Sequence, residues 1–268
     1  MRKLIVVADW SADSLSCQEF KISFEGFLKD DRGLNLSFVE STPSTIHTAF
    51  LLAQVVETTE RYGKPLETVI FQNTDPRIGM KKGEFLVIKL KSGIYLAGPN
   101  AGYDFSLIKE KIDEAFVYQG LQSNSQFRSR DLFSRVCAHL IEEMEDELEL
   151  EEIHLNLIPE LKGFYIGHID NFGNIKTTIK HEDLKGRYEY KDQIKIKINQ
   201  VEKKAWYVDH LFAGEPGELV IYPGSSGVKD NPFIEIAVWK EFISEAKNFF
   251  SASQVFHYPL PGMKVEIF

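Results

Sequence analysis

The sequence has few of the residues that mark a disulfide-linked, metal-binding or membrane protein. Its 268 residues include two cysteines, Cys17 and Cys137, and seven histidines, none of them at the spacing of a metal site. No apolar run approaches the roughly 20 residues of a membrane span. The N-terminal run from Leu4 to Ala8 is too short for a signal peptide. We therefore expect reduced thiols, no metal, no membrane partner and a cytoplasmic location.

Positive charge is also scarce. Lysine and arginine total 31 against 40 aspartate and glutamate residues, a net charge of -9 without a basic stripe. Because neutralisation of phosphates supplies much of the affinity for nucleic acid, we expect no nucleic-acid partner. The composition, 43% hydrophobic and 26% charged, is that of a globular protein long enough for two domains.

The first part of the chain alternates strand and helix patterns, which predicts the α/β class. Apolar runs at 3–8 and 68–72 are typical of buried parallel strands, and the runs at 85–90 and 94–97 predict a hairpin. An apolar stripe at helical spacing follows Ser44, a predicted N-cap, and stops at Val56 before the charged Glu57. A second strong helical face runs from Leu132 to Ile141, and Ser129 before it is another predicted N-cap.

Strand patterns dominate the second part of the chain. We predict an N-terminal α/β/α sandwich-like domain over 1–155 and a small C-terminal β-barrel domain over 160–268. A turn is predicted at Pro223–Gly227, and one helix from about Trp239 to Phe249. The predicted strands of the barrel are 164–169, 175–179, 193–198, 205–208, 218–222 and 233–238.

Two carboxylates follow buried strands of the N-terminal part. Asp9 ends the first strand and Asp75 comes just after the second. Open α/β sheets bind ligands at the carboxyl ends of their strands, where an aspartate often holds a ribose diol. A plain turn would also explain each of these residues. Ser129 and Asp131 open a helix whose positive end could receive an anion, although capping alone would explain them.

Two turns of the C-terminal part combine polar and aromatic groups. In the hairpin turn after Ile169, the residues Asp170, Phe172 and Asn174 could hold an ammonium group, a purine plane and a purine edge. The segment Gly224–Gly227 could direct hydroxyl and N–H groups to a carboxylate, or could be an ordinary loop.

Taken in order, these segments resemble the S-adenosylmethionine (SAM) hydroxide adenosyltransferases, the family that also contains the fluorinase and chlorinase enzymes. The resemblance covers nearly the whole chain and is most specific in its C-terminal part. The matching segments read ADW, DPRIG, AGPNAG, FRSRDLF, IDNFGN and GSSG…EIA.

The resemblance implies a homotrimer that binds SAM between the N-terminal domain of one subunit and the C-terminal domain of a neighbour. Asp9 would then bind the ribose hydroxyls and Asp170 the methionine ammonium. Phe172 would stack on adenine. The other implied ligand-binding residues are Ser129 near the nucleophile, Asn174 and the backbone of Ala237 at the adenine edge, and Ser225 and Ser226 at the methionine end. SAM would be substrate or ligand, with no further cofactor.

The catalytic residues depart from the family pattern. The hydrolysing members use an aspartate, an arginine and a histidine, which fall here on Asp75, Lys82 and Arg128. Arginine stays protonated, so Arg128 cannot act as a general base. Three functions stay open: hydrolysis of SAM to adenosine with Asp75 as base, binding of SAM or adenosine with little turnover, and transfer to an anion such as halide.

Overall fold

The structure is a computed structural model that describes residues 2–76, 83–120, 125, 127–239 and 251–268. The chain divides into two compact units, Met1–Leu161 and Lys162–Phe268. The boundary expected from the sequence is at 155–160.

The N-terminal unit is built on a seven-stranded sheet. Its strands are β1 (Lys3–Ala8), β2 (Asn35–Glu40), β3 (Thr68–Asn73), β4 (Phe85–Leu90), β5 (Tyr95–Pro99), β6 (Ile112–Tyr118) and β7 (Leu150–Glu152). The spatial order is β2-β1-β3-β5-β4-β6-β7. Strands β2, β1, β3 and β5 are parallel, so their carboxyl ends lie along one edge of the sheet. The antiparallel β4–β5 pair confirms the predicted hairpin.

Helices cover both faces of this sheet. They are α1 (Leu15–Phe27), α2 (Thr45–Tyr62) and α3 (Ser134–Ile141), with a π-helical turn at Ser129–Phe133 before α3. Because side chains alternate across a strand, Leu4 and Val6 of β1 pack with α1 and α3, whereas Val7 packs with α2 on the other face. The three layers confirm the predicted α/β/α arrangement.

The sequence pattern predicted the start of helix α2 correctly, but not its end. The Oγ of Ser44 accepts a hydrogen bond from the N–H of His47 at 3.4 Å, which confirms the predicted N-cap. The helix continues six residues beyond Val56, to Tyr62. Glu57 does not end it: its carboxylate, 14% exposed, is paired with the Nζ of Lys111 at 3.0 Å, so the charge is compensated at this point of the helix.

The C-terminal unit is a closed barrel, as predicted. Its strands are β8 (Phe164–Ile169), β9 (Ile175–Lys180), β10 (Gln193–Ile198), β11 (Val201–Tyr207), β12 (Leu219–Val228), β13 (Asn231–Val238) and β14 (Lys264–Ile267). The order β10-β11-β12-β13-β9-β8-β14 closes through pairing of β14 with β10. Isoleucines fill the interior, among them Ile166, Ile194 and Ile236. The short helices α4 (His181–Leu184) and α5 (Ala252–Val255) complete the unit.

Some elements differ from the sequence prediction. The predicted turn at Pro223–Gly227 is part of β12, where an irregularity shifts the register against β13. Apart from Trp239, the predicted helix at 239–249 lies outside the described residues.

The sequence analysis did not predict α1, β2, β6, β7 and β14. Short 3₁₀ segments lie at Pro65–Glu67, Ser106–Lys111, Glu145–Glu147, Leu155–Leu157 and Leu211–Ala213. Among the helices that the structure describes, none has the length and apolar character needed to cross a membrane.

Candidate functional site

A cavity of about 280 Å³ lies at the carboxyl edge of the N-terminal sheet. It is lined by Asp9, Asn73, Asp75, Pro99, Arg128, Ser129 and Phe133. These residues come from the ends of β1, β3 and β5 and from the turn that precedes α3. Four of them, Asp9, Asp75, Arg128 and Ser129, are candidate residues from the sequence that the fold brings together. The fifth candidate of this domain, Lys82, lies outside the described residues.

An ion pair joins two of the predicted catalytic residues. The Nη2 of Arg128 lies 3.5 Å from the Oδ2 of Asp75, and both side chains are about 15% exposed or less. The guanidinium also lies over the ring of Phe133, with its carbon 5.7 Å from the ring centre. Arg128 is therefore held in the cavity wall as a fixed positive charge.

Buried hydroxyl groups support the segment that carries Asp75. The Oγ1 of Thr74 lies 2.7 Å from the Oγ1 of Thr48, which lies 2.8 Å from the Oγ of Ser41. The Thr74 N–H donates to the Oε1 of Gln72 at 2.9 Å. These four side chains tie the end of β3 to α2 and to the residue after β2. The sequence analysis missed them, because no local pattern shows which threonines face inward.

Asp9 is half-buried at the end of β1. Burial raises the pKa of its carboxyl, and the charge of Asp75 adds to this effect, while the backbone N–H of Asp9 opposes it. The charge of Asp75 thus makes ionisation of Asp9 less favourable.

Ser129 does not have the capping role that the sequence predicted. The helical conformation already includes Arg128, and Ser129 is the first residue of the π-helical turn Ser129–Phe133. Single π-helical turns are frequent at functional sites, because the extra residue turns side chains out of the regular helical register. Ser129 lines the cavity from this turn. Asp131 forms an ion pair with Arg130, whose Nε lies 2.6 Å from the Oδ1 of Asp131.

Asp104 is a further carboxyl at this edge that the sequence analysis did not identify. It follows β5 and is fully buried. Within the described part of the chain, neither of its oxygens has a hydrogen-bond partner. Burial raises its pKa well above the ordinary value, and the charges of Asp75 and Asp9 raise it further. The backbone N–H groups of Asp104 and Ala101 lie near the carboxyl without forming a hydrogen bond, and they lower the pKa only in part. A lone aspartate beside the apolar Phe105 gives no local sign of this environment.

The C-terminal unit presents a tight turn between β8 and β9. The Oδ1 of Asp170 accepts hydrogen bonds from the N–H groups of Phe172 at 2.9 Å and Asn174 at 3.0 Å. Its Oδ2 accepts one from the Nδ2 of Asn174 at 3.1 Å. Gly173 adopts a φ of 77°, which favours glycine, and a Cβ there would lie 2.5 Å from the Oγ of Ser251.

This turn holds an aromatic ring at the surface. The side chain of Phe172 is 74% exposed, unusual for phenylalanine. Asp170 and Asn174 fix the backbone on either side of it. The turn therefore brings together the three residues that the sequence analysis grouped, with the amide of Asn174 directed to Asp170.

Glu235 of β13 forms a second polar cluster in the barrel unit. Its buried carboxylate is 2.6 Å from the Nζ of Lys176 and accepts a hydrogen bond from the Tyr222 hydroxyl at 3.1 Å. It also accepts bonds from the N–H and hydroxyl of Ser225, at 2.8 and 3.0 Å. Burial raises the pKa of Glu235, but the Lys176 ammonium and the Ser225 donors outweigh burial and hold it below the ordinary value.

The cluster bears on three residues predicted to bind the ligand. The carboxylate that Ser225 contacts in this structure belongs to Glu235 rather than to a ligand. Ser226 is buried at 4% exposure, and Ala237 is fully buried in the pairing of β13 with β12. Their assigned roles at the methionine and adenine ends stay predictions. Sequence reasoning named the EIA segment that contains Glu235 but not its pairing with Lys176.

Solved structures of two bacterial proteins share this fold. An uncharacterized conserved protein from Thermotoga maritima superposes with a TM-score of 0.70 at 21% identity, covering 99% of this chain and 100% of its own. A conserved hypothetical protein from Thermus thermophilus superposes with a TM-score of 0.68 at 17% identity, covering all of both chains.

Sequence comparison adds the family. Residues 164–253 match the model of the SAM hydroxide adenosyltransferase C-terminal domain. A curated relative, the (R)-S-adenosyl-L-methionine hydrolase of Methanocaldococcus jannaschii, is 30% identical over 190 residues. That alignment spans 65% of this chain and 65% of the relative's length. With the motifs and the two-unit fold, these matches support the SAM hydroxide adenosyltransferase family, whose C-terminal domain residues 164–253 resemble.

Proposed function

We propose that this protein hydrolyses SAM to adenosine and L-methionine. The observation that supports this most directly is the cavity lined by Asp9, Asp75, Arg128 and Ser129, in a chain whose C-terminal part matches this family. The curated relative named as an (R)-SAM hydrolase supports the same reaction. The cavity is polar and carries carboxylates, which suits a cationic substrate with ribose hydroxyls.

The reaction is an in-line displacement at the ribose 5′ carbon. The water oxygen forms a bond to that carbon while the electron pair of the C5′–S bond passes to sulfur, which leaves as the neutral thioether of methionine. The water also loses a proton, so a base is needed, and Asp75 is the base proposed. Arg128 can orient the water and Asp75 but cannot accept the proton.

The remaining candidates would hold the substrate. Asp9 would bind the ribose diol, Phe172 would stack on adenine, and Asp170 would attract the ammonium group. We place Ser225 and Ser226 at the methionine end. These residues would meet at one ligand in a homotrimer, the state that the family resemblance implies.

A second candidate function is binding of SAM without turnover. The Asp75–Arg128 ion pair favours it, because Arg128 engages the proposed base at 3.5 Å and cannot relay a proton. Halide as the nucleophile is disfavoured by the Asp75 carboxylate in the same cavity wall, since like charges repel.

Product analysis distinguishes these functions. Purified protein is incubated with SAM of either sulfonium configuration, with and without chloride or fluoride, and the nucleosides are separated by chromatography. We expect adenosine from the (R) form. Measurable SAM binding with no nucleoside product would support the second candidate, and a 5′-halo nucleoside would replace hydrolysis with halide transfer. Absence of both binding and product would overturn the proposal.

A further inference from the structure

The π-helical turn Ser129–Phe133 changes the hydrogen bonding of the helix that begins at Arg128. In an α-helix, the N–H of Ser134 would donate to the carbonyl of Arg130, four residues earlier. Here that N–H donates to the carbonyl of Ser129, five residues earlier. The carbonyl of Arg130 thus loses its regular donor, and a carbonyl in a partly buried place needs another one.

Two serine hydroxyls take the place of that N–H. The Oγ of Ser23, in α1, lies 2.6 Å from the carbonyl oxygen of Arg130, and the Oγ of Ser134 also bonds to this oxygen. The two hydroxyl oxygens lie 2.9 Å from each other. Each hydroxyl carries one proton, so at least one of the two protons is donated to the carbonyl. Side chains therefore compensate the π register of this turn.

Further contacts hold the turn between α1 and the core of the N-terminal unit. The Nη1 of Arg130 lies 3.2 Å from the Oε1 of Glu19, which also belongs to α1. At the end of the turn, Phe133 is 3% exposed and stacks on Phe85, with the ring centres 4.1 Å apart. The position of Arg128, at the start of the turn, therefore depends on the register between these two fixed sides.

The register of the turn determines where Arg128 lies. If the carbonyl of Arg130 recovered its α-helical donor, the extra residue of the π turn would leave the helix. The residues before it would then rotate by roughly 100° about the helix axis. Arg128 would leave its place 3.5 Å from the Oδ2 of Asp75. Misplacement by about 1 Å at an active site can lower the rate about 10²-fold, so the register matters for the reaction.

We propose that Ser23 and Ser134 are positioning residues that keep this turn in its π register. Through that register they hold Arg128 beside Asp75 during the attack on SAM, an effect that rests on the proposed hydrolysis. Neither serine is among the described residues that line the cavity, and both act through the backbone of Arg130. Because Arg128 orients the water and Asp75 rather than SAM, loss of both hydroxyls should lower kcat and leave KM nearly unchanged.

A double substitution tests this role, because either serine alone still supplies a donor to the carbonyl. In Ser23→Ala/Ser134→Ala we expect kcat to fall by about 10- to 100-fold. Each single change should have a smaller effect than the pair, since the two hydroxyls share one acceptor. Ser23→Thr/Ser134→Ala retains one hydroxyl and should recover most of the loss. Ser16→Ala, the same change at an exposed position of α1, is the control and should leave kcat unchanged.

A second background shows whether the serines act through Arg128. In Arg128→Met, the two alanine changes should lower turnover much less than in the wild type, because the group that the serines position is absent. An equal fall in both backgrounds would overturn the inference. A loss in Ser23→Thr/Ser134→Ala as large as in the alanine pair would also overturn it, and so would a raised KM with an unchanged kcat.

The crystal structure of the double variant tests the register independently of activity. We expect the N–H of residue 134 to donate to the carbonyl of Arg130, and Arg128 to lie away from Asp75. A retained π turn would overturn the inference and leave hydrolysis intact. If the wild type forms no adenosine, the proposed hydrolysis fails, and the structure still decides whether the serines hold the turn. If the double variant does not fold, Ser23→Ala replaces it, and a kcat equal to that of Ser16→Ala would overturn the inference.

Discussion

Among the residues that the structure describes, each unit has one buried carboxyl, and the surroundings of the two carboxyls differ. Asp104 of the N-terminal unit is 0% exposed and Glu235 of the barrel unit is 4% exposed. Glu235 accepts hydrogen bonds from Lys176, Ser225 and Tyr222, and its pKa is lowered although burial alone would raise it. Asp104 lacks such donors among the described residues, and burial raises its pKa well above the ordinary value.

Burial alone therefore does not determine the charge of these groups; their partners do. In the barrel the paired carboxylate fixes β9, β12 and β13 around it, which suits a rigid support for surface residues. At the sheet edge the buried carboxyl of Asp104 has no hydrogen-bond partner among the described residues, and the charges of Asp75 and Asp9 act on it. We expect the paired carboxyl to stabilise its unit and the unpaired one to destabilise its unit when ionised, and the predictions below test that difference and the role of the cavity.

The largest effect is expected at the cavity. Asp75→Asn removes the proposed base while retaining the size of the side chain, so adenosine formation should fall on the order of 10²- to 10⁴-fold with SAM binding largely preserved. Turnover is measured by chromatography and binding by calorimetry. Asp113→Asn, the same change at an exposed position of β6, is the matched control. Unchanged turnover in Asp75→Asn would remove Asp75 from the mechanism.

The next largest effect concerns stability of the barrel. Lys176→Ala leaves the carboxylate of Glu235 buried without its cation, and we expect a loss of about 3–5 kcal/mol in the free energy of unfolding. The control is Lys195→Ala. Its pair with Glu202 has the same 2.6 Å separation as the Lys176–Glu235 pair, but its side chains are 47% and 45% exposed against 15% and 5%. The control should cost about 0.2–1 kcal/mol. Equal losses in urea unfolding would show that burial does not distinguish the pairs.

The division of the fold into two classes of structure followed from periodicity. Apolar runs such as 3–8 and 68–72 predicted buried parallel strands, and regularly spaced short strands predicted the barrel. Helix α1 was missed although its buried residues Cys17, Phe20 and Phe24 keep helical spacing. Exposed apolar residues on the same helix, Leu15 and Ile22, blur that stripe and explain the miss.

The sequence predicted some residues of the candidate site and missed others. Asp9 and Asp75 were predictable, because residues at the ends of parallel strands meet at one edge. Asp104 was not, since the protonation of a carboxyl depends on neighbours distant in sequence. Glu235 was part of a named motif, but its pairing with Lys176, 59 residues away, required the barrel's strand order. Local patterns identify where polar groups gather, and tertiary packing determines their charge.

The comparison also predicts opposite pH dependences of stability. The pKa of Asp104 is raised in the folded state. Its contribution to the free energy of unfolding is therefore fully present below the unfolded pKa of about 3.9, and it is lost as the pH rises through the folded pKa. Glu235 has a lowered pKa, so its contribution is present above the unfolded value and is lost as pH falls through the folded pKa. Each carboxyl can change the slope of the free energy of unfolding against pH by at most about 1.4 kcal/mol per pH unit.

Urea unfolding at a series of pH values measures both contributions. Relative to the wild type, Asp104→Asn should gain stability as pH rises from about 4 to 7. Glu235→Gln should show its largest deficit near neutral pH and a smaller one in acid. If the stability difference from the wild type changed with pH in the same direction for both variants, the opposite assignments of the two carboxyls would be wrong.

The smallest expected effect concerns the exposed ring of the barrel unit. If Phe172 stacks on adenine, Phe172→Leu should weaken adenosine binding by about 1 kcal/mol, because leucine preserves apolar area but lacks a planar face. Stability should change little, since the ring is 74% exposed and contributes little buried area. Phe172→Tyr retains the plane and should retain the affinity. Calorimetric titration with adenosine distinguishes the two variants, and unchanged affinity in Phe172→Leu would show that the ring does not stack on adenine.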